Sequence, residues 1–258
     1  MSQPSRIISI TLLMAAAACA QFQPPPAPPR PTSAKDAAPE DISGYWVSIV
    51  TEDWRWRMLT PAKGDYTSLP LNPEGRKVAD TWDPAKDTAA GNQCKAYGAA
   101  GLMRLPTRLH ITWQDNNTMK VETDEGTQTR LFHFAAKTPP APAPALQGYS
   151  LAEWDISRPT NMGFQAPAAA AGKLPGSLKV VTTGLKPGYL RKNGVPYSGN
   201  AVLTEYFTRT NEPNGDSWLI LTSIVEDPQY LTSDLLTSTH YKKEADGSKW
   251  DPSPCEAK

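Results

Sequence analysis

Residues 108–134 read RLHITWQDNNTMKVETDEGTQTRLFHF, and the fold turns on how this stretch is read. Three runs rich in β-branched and aromatic residues, Arg108–Gln114, Thr118–Thr123 and Thr127–Phe134, are broken by Asp115-Asn116-Asn117 and Asp124-Glu125-Gly126. Asp, Asn and Gly tolerate the backbone angles of tight turns, so the breaks predict consecutive antiparallel hairpins. Side chains alternate along a strand, so in the third run Thr129, Leu131 and His133 share one face while Arg130, Phe132 and Phe134 share the other. Whichever face points inward brings one ionisable group with it, Arg130 or His133.

The same pattern extends in both directions. Gly44–Val50, Asp53–Met58, Tyr149–Asp155, Leu178–Thr183, Ala201–Thr210, Ser217–Glu226 and Ser238–Lys243 read as further strands, and Asn214-Gly215-Asp216 joins two of them as a hairpin. Asn72-Pro73-Glu74 opens one short helix to about Trp82, with Asn as cap and Pro at the first helical position, and Asp83-Pro84 ends it. Residues 135–145 and 158–176 are Pro/Ala-rich loops. Roughly nine strands at hairpin spacing predict an all-β fold, an antiparallel barrel with a sandwich as the alternative. In residues 201–209, Ala201, Leu203, Glu205 and Phe207 share one face. Glu205 on that face suits a polar position inside a barrel, or an exposed position on a sandwich.

The N-terminus has the three parts of a secretion signal: Arg6, the apolar run Ile7–Ala18, and the small residues Ala18-Cys19-Ala20. The expectation is a signal peptide over 1–20, a proline-rich linker over 21–40 and one β domain over 41–258. Two readings of the cleavage site stand side by side. One releases a soluble chain at Gln21, and the other treats Ala16-Ala17-Ala18-Cys19 as a lipobox with Cys19 lipidated. Either way the protein is exported, to the periplasm or as an outer-membrane lipoprotein. Removing residues 1–20 takes Arg6 away and leaves 25 basic against 26 acidic residues. No basic stripe exists, which argues against a nucleic-acid partner. Membrane contact is expected only through a lipid anchor at Cys19. Of three cysteines, Cys94 and Cys255 remain after the signal, and outside the cytoplasm they are expected to pair.

Two sets of residues carry a resemblance. Gly44-Tyr45-Trp46 opens the first strand and resembles the G-x-W signature of lipocalin-like barrels, where the Trp closes one barrel end beneath a basic side chain from a late strand. A longer pattern resembles a widespread family of exported bacterial proteins of uncharacterised activity. It comprises PLNPEGR (70–76), WDP (82–84), Cys94, LKVVTT (178–183), TEYFTR (204–209) and VEDP (225–228). The resemblance implies a lipocalin-like β-barrel domain and supplies no reaction.

Candidate chemistry is sparse. His110, His133 and His240 lie far apart with no ligand spacing, so no metal is expected, and no cofactor motif is present. The paired carboxylates Glu52/Asp53, Glu153/Asp155 and Glu226/Asp227 have no distance that a sequence can supply. The preferred reading is a binding module that holds a small apolar or aromatic ligand in a barrel pocket lined by Trp54, Trp56, Arg104, Trp113, Trp154 and Tyr206. A second reading is a cofactor-free lyase, isomerase or hydrolase moving protons with Glu205, His133 or Arg130. A third is a structural or interaction protein of the envelope, favoured if side chains fill the barrel. The segment Gly188–Gly194 reads as a hairpin tip or a pocket rim.

Overall fold

The computed structural model describes residues 31–134, 143–156 and 175–257. The expected signal peptide, the Cys19 lipidation site, the first part of the proline-rich linker and most of both Pro/Ala-rich loops lie outside the described residues.

Eleven strands are present among the described residues: β1 (Gly44–Ile49), β2 (Arg108–Asp115), β3 (Thr118–Thr123), β4 (Thr129–His133), β5 (Tyr149–Ile156), β6 (Gly176–Thr183), β7 (Gly188–Arg191), β8 (Val195–Tyr197), β9 (Val202–Asn211), β10 (Ser217–Glu226) and β11 (Leu235–Lys243). Nine of them close into a barrel in the order β1-β11-β10-β9-β6-β5-β4-β3-β2, while β7 and β8 form a separate hairpin. The barrel, and not the sandwich, is therefore the architecture. Neighbours in a ring of nine cannot all alternate in direction, so at least one pair must run parallel. That pair is β4 and β5, where Phe132 faces Ser150 and His133 faces Leu151; the other barrel pairings are antiparallel.

The alternation read from sequence sets the interior. Arg130 and Phe132 point inward with Leu203, Glu205 and Phe207, all at 1% exposure or less. His133 and Thr129 face outward. At one end Trp46 is fully buried and its indole N–H donates to the Ile42 carbonyl at 2.9 Å. The Lys243 ammonium of β11 lies 4.5 Å from the centre of its ring and donates to the Ser43 carbonyl. Gly44 has φ +104°, a backbone conformation that side-chain-bearing residues rarely adopt, so the turn calls for glycine. Trp113, Phe134 and Trp154 pack against one another and against the apolar interior at this same end.

Helices gather elsewhere: α1 (Ala34–Ala37), α2 (Trp54–Arg57), α3 (Pro73–Ala79), α4 (Pro84–Ala89), a 3₁₀ turn at Lys95–Tyr97, and α5 (Ala99–Leu102). Residues 31–40 do more than the spacer expected of them. α1 docks on the aromatic end, where Trp154 Nε1 donates to the Ala34 carbonyl at 2.8 Å and Lys35 N donates to Asn116 O. α2 through α5 belong to the β1–β2 connection, which covers the opposite end. Two expectations need correcting here. Asp53–Met58 is the helical turn α2 and not a strand. α3 stops at Ala79, short of the expected Trp82, and Asp83-Pro84 does not end it but starts α4, because the Asp83 carboxylate accepts from the amides of Ala85 and Lys86. The expected start of α3 holds: Asn72 Oδ1 accepts from Gly75 N at 2.8 Å.

Candidate functional site

Inside the barrel, between the apolar end and the cap, lies a polar layer. Arg130 donates through both terminal nitrogens to Glu205, at 3.0 and 2.6 Å, and also to Thr182 Oγ1 at 3.1 Å. Thr182 in turn bonds Ser150 Oγ at 2.8 Å. Both charged side chains have zero exposure, so each is the other's neutralising partner. The guanidinium also lies 5.0 Å from the Phe132 ring centre. Above this layer Tyr241, fully buried, donates to the Met103 carbonyl at 2.9 Å. Burial pushes its phenol well above the ordinary value. The lumen is thus filled by side chains, and the sequence-predicted pair Arg130 and Glu205 is brought together in a sealed interior. His133 is not with them; on the outer face it stacks on Tyr149 at 4.6 Å, where burial lowers its pKa.

Space for a ligand occurs instead at the barrel mouth, under the cap. A pocket of about 290 Å³ is bounded by Asp53, Trp56 and Arg57 of the α2 region, by Arg104 and Leu105 after α5, by Leu190, Arg191 and Lys192 of the β7–β8 hairpin, and by Val225, Leu235 and Leu236 of the barrel rim. The volume sits at the lower end of the range for small-molecule sites, about 300–1,000 Å³.

The pocket is rich in positive charge, and each base is held differently. Arg57 is buried; it donates through Nε to the Arg104 carbonyl at 2.8 Å, pairs with Glu52 and reaches Ser48 Oγ at 3.2 Å. Burial, with Arg104 beside it, lowers its pKa. Arg104 pairs with Asp53 at 2.5 Å and donates to Ser238 O at 2.8 Å. Asp53 adopts the left-handed conformation, φ +52°, which is uncommon outside glycine; there its carboxylate meets Arg104. Lys192 bonds Glu125 at 3.2 Å and lies 5.2 Å from the Tyr97 ring centre. Burial pulls its pKa down, but the Tyr97 and Glu125 interactions outweigh that and raise it.

Arg191 is the exception. Its hydrogen bonds go to main-chain carbonyls, of Thr67 at 3.2 and 3.3 Å and of Asp65 at 3.5 Å. Its guanidinium stacks over Trp56 at 5.3 Å from the ring centre. Burial is the main cause that lowers its pKa. Among the described residues it is the pocket guanidinium with no carboxylate oxygen in ion-pair range.

Of the six ligand-lining residues expected from sequence, the structure brings Trp56 and Arg104 together in this pocket. Trp54 is exposed on the outer side of α2. The strand reading put Trp54 and Trp56 on one face, but helical geometry turns residues two apart to opposite sides. Trp113 and Trp154 belong to the aromatic plug at the far end. Tyr206 points away from the lumen, opposite in parity to Glu205 and Phe207. Gly188–Gly194 is both hairpin and pocket rim, with its tip at Gly194 (φ +81°) against Trp82. Leu69 and Leu235 were missed as pocket residues: Leu69 lies in an irregular loop, and Leu235 opens β11 three residues before the strand was expected to start at Ser238.

Fold and site together define a capped β-barrel with a cationic, aromatic-walled pocket at its mouth. Neither family models nor curated proteins nor solved structures match the chain.

Proposed function

We propose that this protein is exported and that it is a binding module whose mouth pocket holds a small amphipathic anion, a carboxylate or similar acid on an apolar or aromatic body. Arg191 carries the reading. A half-buried guanidinium that has carbonyl partners and an aromatic platform, but no carboxylate, is electrostatically incomplete, and an acidic ligand group would complete it. Arg104 and Lys192 stand on the same wall, while Trp56, Leu69, Leu190 and Leu235 offer a surface for the apolar body. The pairing of a few oriented polar groups with an apolar lining is the usual composition of small-molecule sites. The cofactor-free enzyme reading gains no comparable support, since Glu205 and Arg130 face each other away from the pocket and His133 lies outside the barrel.

The test is titration with decanoate and with an aryl carboxylate, followed by tryptophan fluorescence and calorimetry. Arg191→Gln is expected to weaken binding by about tenfold or more, equivalent to about 1.4 kcal/mol, and Trp56→Leu to remove most of the fluorescence response. Equal affinity for wild type and Arg191→Gln would overturn the assignment of the acid group.

A further inference from the structure

The apolar part of the mouth pocket is almost wholly aliphatic. Leu59, Leu69, Leu105, Leu190, Leu235 and Leu236 line it, and Trp56 is the one aromatic side chain among its described lining residues. That ring is already engaged. The Arg191 and Arg55 guanidiniums lie over it at 5.3 and 5.7 Å from its centre, and its indole N–H donates to Asp65 Oδ2 at 3.1 Å. Cations are attracted to an aromatic face, so a ligand ring that stacked there would compete with them. A flexible chain needs no stacking partner and takes its contacts from the leucines. Leu105 and Leu190 are buried, whereas Leu59 (73%) and Leu236 (67%) are the most exposed large apolar side chains among the described residues. The lining thus includes leucines left facing water, which a chain lying along them would cover.

Backbone irregularities sit where the acid and the chain would meet the protein. Consecutive residues of a strand face opposite sides, yet Leu190 and Arg191 both line the pocket, and the register of β7 on β8 shifts between Tyr189 and Arg191. A bulge of this kind re-aims a side chain, and here it sets a leucine beside the guanidinium that has no carboxylate partner. Asp53 (φ +52°) and Ser68 (φ +66°) are two of the three non-glycine residues with left-handed backbone among the described residues, and both line the pocket. Strain of that kind gathers at ligand sites.

We infer that the mouth pocket selects medium-chain aliphatic carboxylates over aromatic acids, with the acid at Arg191 and the chain along the leucines. The inference rests on the reading of the pocket as an acid site and names the body that the acid carries. The volume sets its length. A cavity of about 290 Å³, at about 30 Å³ per non-hydrogen atom, the share of a water molecule in the liquid, holds about ten such atoms, which is the size of octanoate.

The experiment is calorimetric titration of the full chain with hexanoate, octanoate, decanoate and dodecanoate, set against 2-naphthoate. Affinity is expected to rise about threefold to fourfold per methylene as far as octanoate and to level off by dodecanoate. Octanoate is expected to bind about fivefold or more tighter than 2-naphthoate, which finds no free ring to stack on. Leu59→Ser with Leu236→Ser, both at exposed positions on which the fold does not depend, is expected to weaken decanoate binding about tenfold. Affinity indifferent to chain length overturns the inference. So does 2-naphthoate bound as tightly as octanoate while Arg191→Gln weakens both, a result that leaves the acid site standing and removes only its aliphatic preference. Octanoate and 2-naphthoate each bound equally by wild type and Arg191→Gln is instead the failure of the acid site itself, and the inference falls with it.

Discussion

Arg130 and Glu205 show how much one residue position can carry. Both sit at zero exposure, and two hydrogen bonds join them. Bringing two charges out of water costs several kcal/mol apiece, and their attraction roughly offsets this only while both are present. Glu205→Gln keeps the shape but strands a guanidinium in the sealed layer, and is expected to cost about 3–5 kcal/mol in denaturant unfolding. Arg130→Met combined with Glu205→Leu removes both charges and fills similar volume, and is expected to cost markedly less than either single change. If the double variant were instead the sum of the two singles, the layer would not be acting as a neutralised pair. The alternation in 127–134 put either Arg130 or His133 on the inward face, and that in 201–209 put Glu205 on the apolar face, which is inward only if the fold is a barrel. It could not say that the two would meet, because the ring order of strands decides that: β6 lies between β5 and β9, and Thr182 of β6 bridges towards Ser150 of β5.

At the scale of elements, the cap is built from short pieces that side chains hold together. Tyr66 illustrates this: its hydroxyl donates to Asp80 Oδ1 at 2.7 Å, tying the loop before α3 to the residue that ends the helix. Burial and the neighbouring carboxylate push its pKa up to about 12 from 10.0. The folded protein thus keeps a proton that the unfolded chain gives up. The resulting stability is fully present below pH about 10 and is lost as pH rises towards the folded value. Tyr66→Phe is therefore expected to be less stable than wild type at neutral pH, with the gap narrowing between pH about 10 and about 12, read by urea unfolding across that range. The cap was also the least legible part of the sequence. Strands such as β9 and β10 are long enough for a period of two to show. The run WRWR spans a single helical turn, too short for any period, and its Trp content favours the strand reading on propensity alone. Hence Trp54 was placed with Trp56, whereas in the helical turn one faces solvent and the other forms the pocket wall. The Gly188–Gly194 segment was ambiguous for a related reason: turn chemistry marks a hairpin tip but not what the tip leans on.

At the scale of the molecule, the ends of the barrel are closed by different means, and only one closure depends on a covalent link. The aromatic end is sealed by Trp46, Trp113 and Trp154, which the strands carry themselves. The cap end is a connection laid over the rim. It is tied down by the C-terminal tail, which leaves β11, passes Trp250 against Tyr45 and His110, pairs Ser253 with Glu125, and ends in a disulfide from Cys255 to Cys94 just before the 3₁₀ turn. The bond joins positions 161 residues apart. On a chain-entropy basis, closing so long a loop stabilises the folded state by about 5 kcal/mol. Its local effect follows from where it lies: the cap residues next to Cys94 include Lys95, Tyr97 and α5, which bear on Lys192 and Arg104 in the pocket wall. Cys94→Ala with Cys255→Ala is expected to lower the melting temperature clearly. Amide exchange should rise first over residues 95–106 and 244–257, while the centres of β9 and β10 remain protected up to global unfolding. The same variant should weaken decanoate binding even at temperatures where the barrel stays folded, because the pocket's cationic wall hangs from the untied segment. Uniformly faster exchange in cap and barrel alike would show instead that the disulfide stabilises the whole molecule without any particular hold on the mouth.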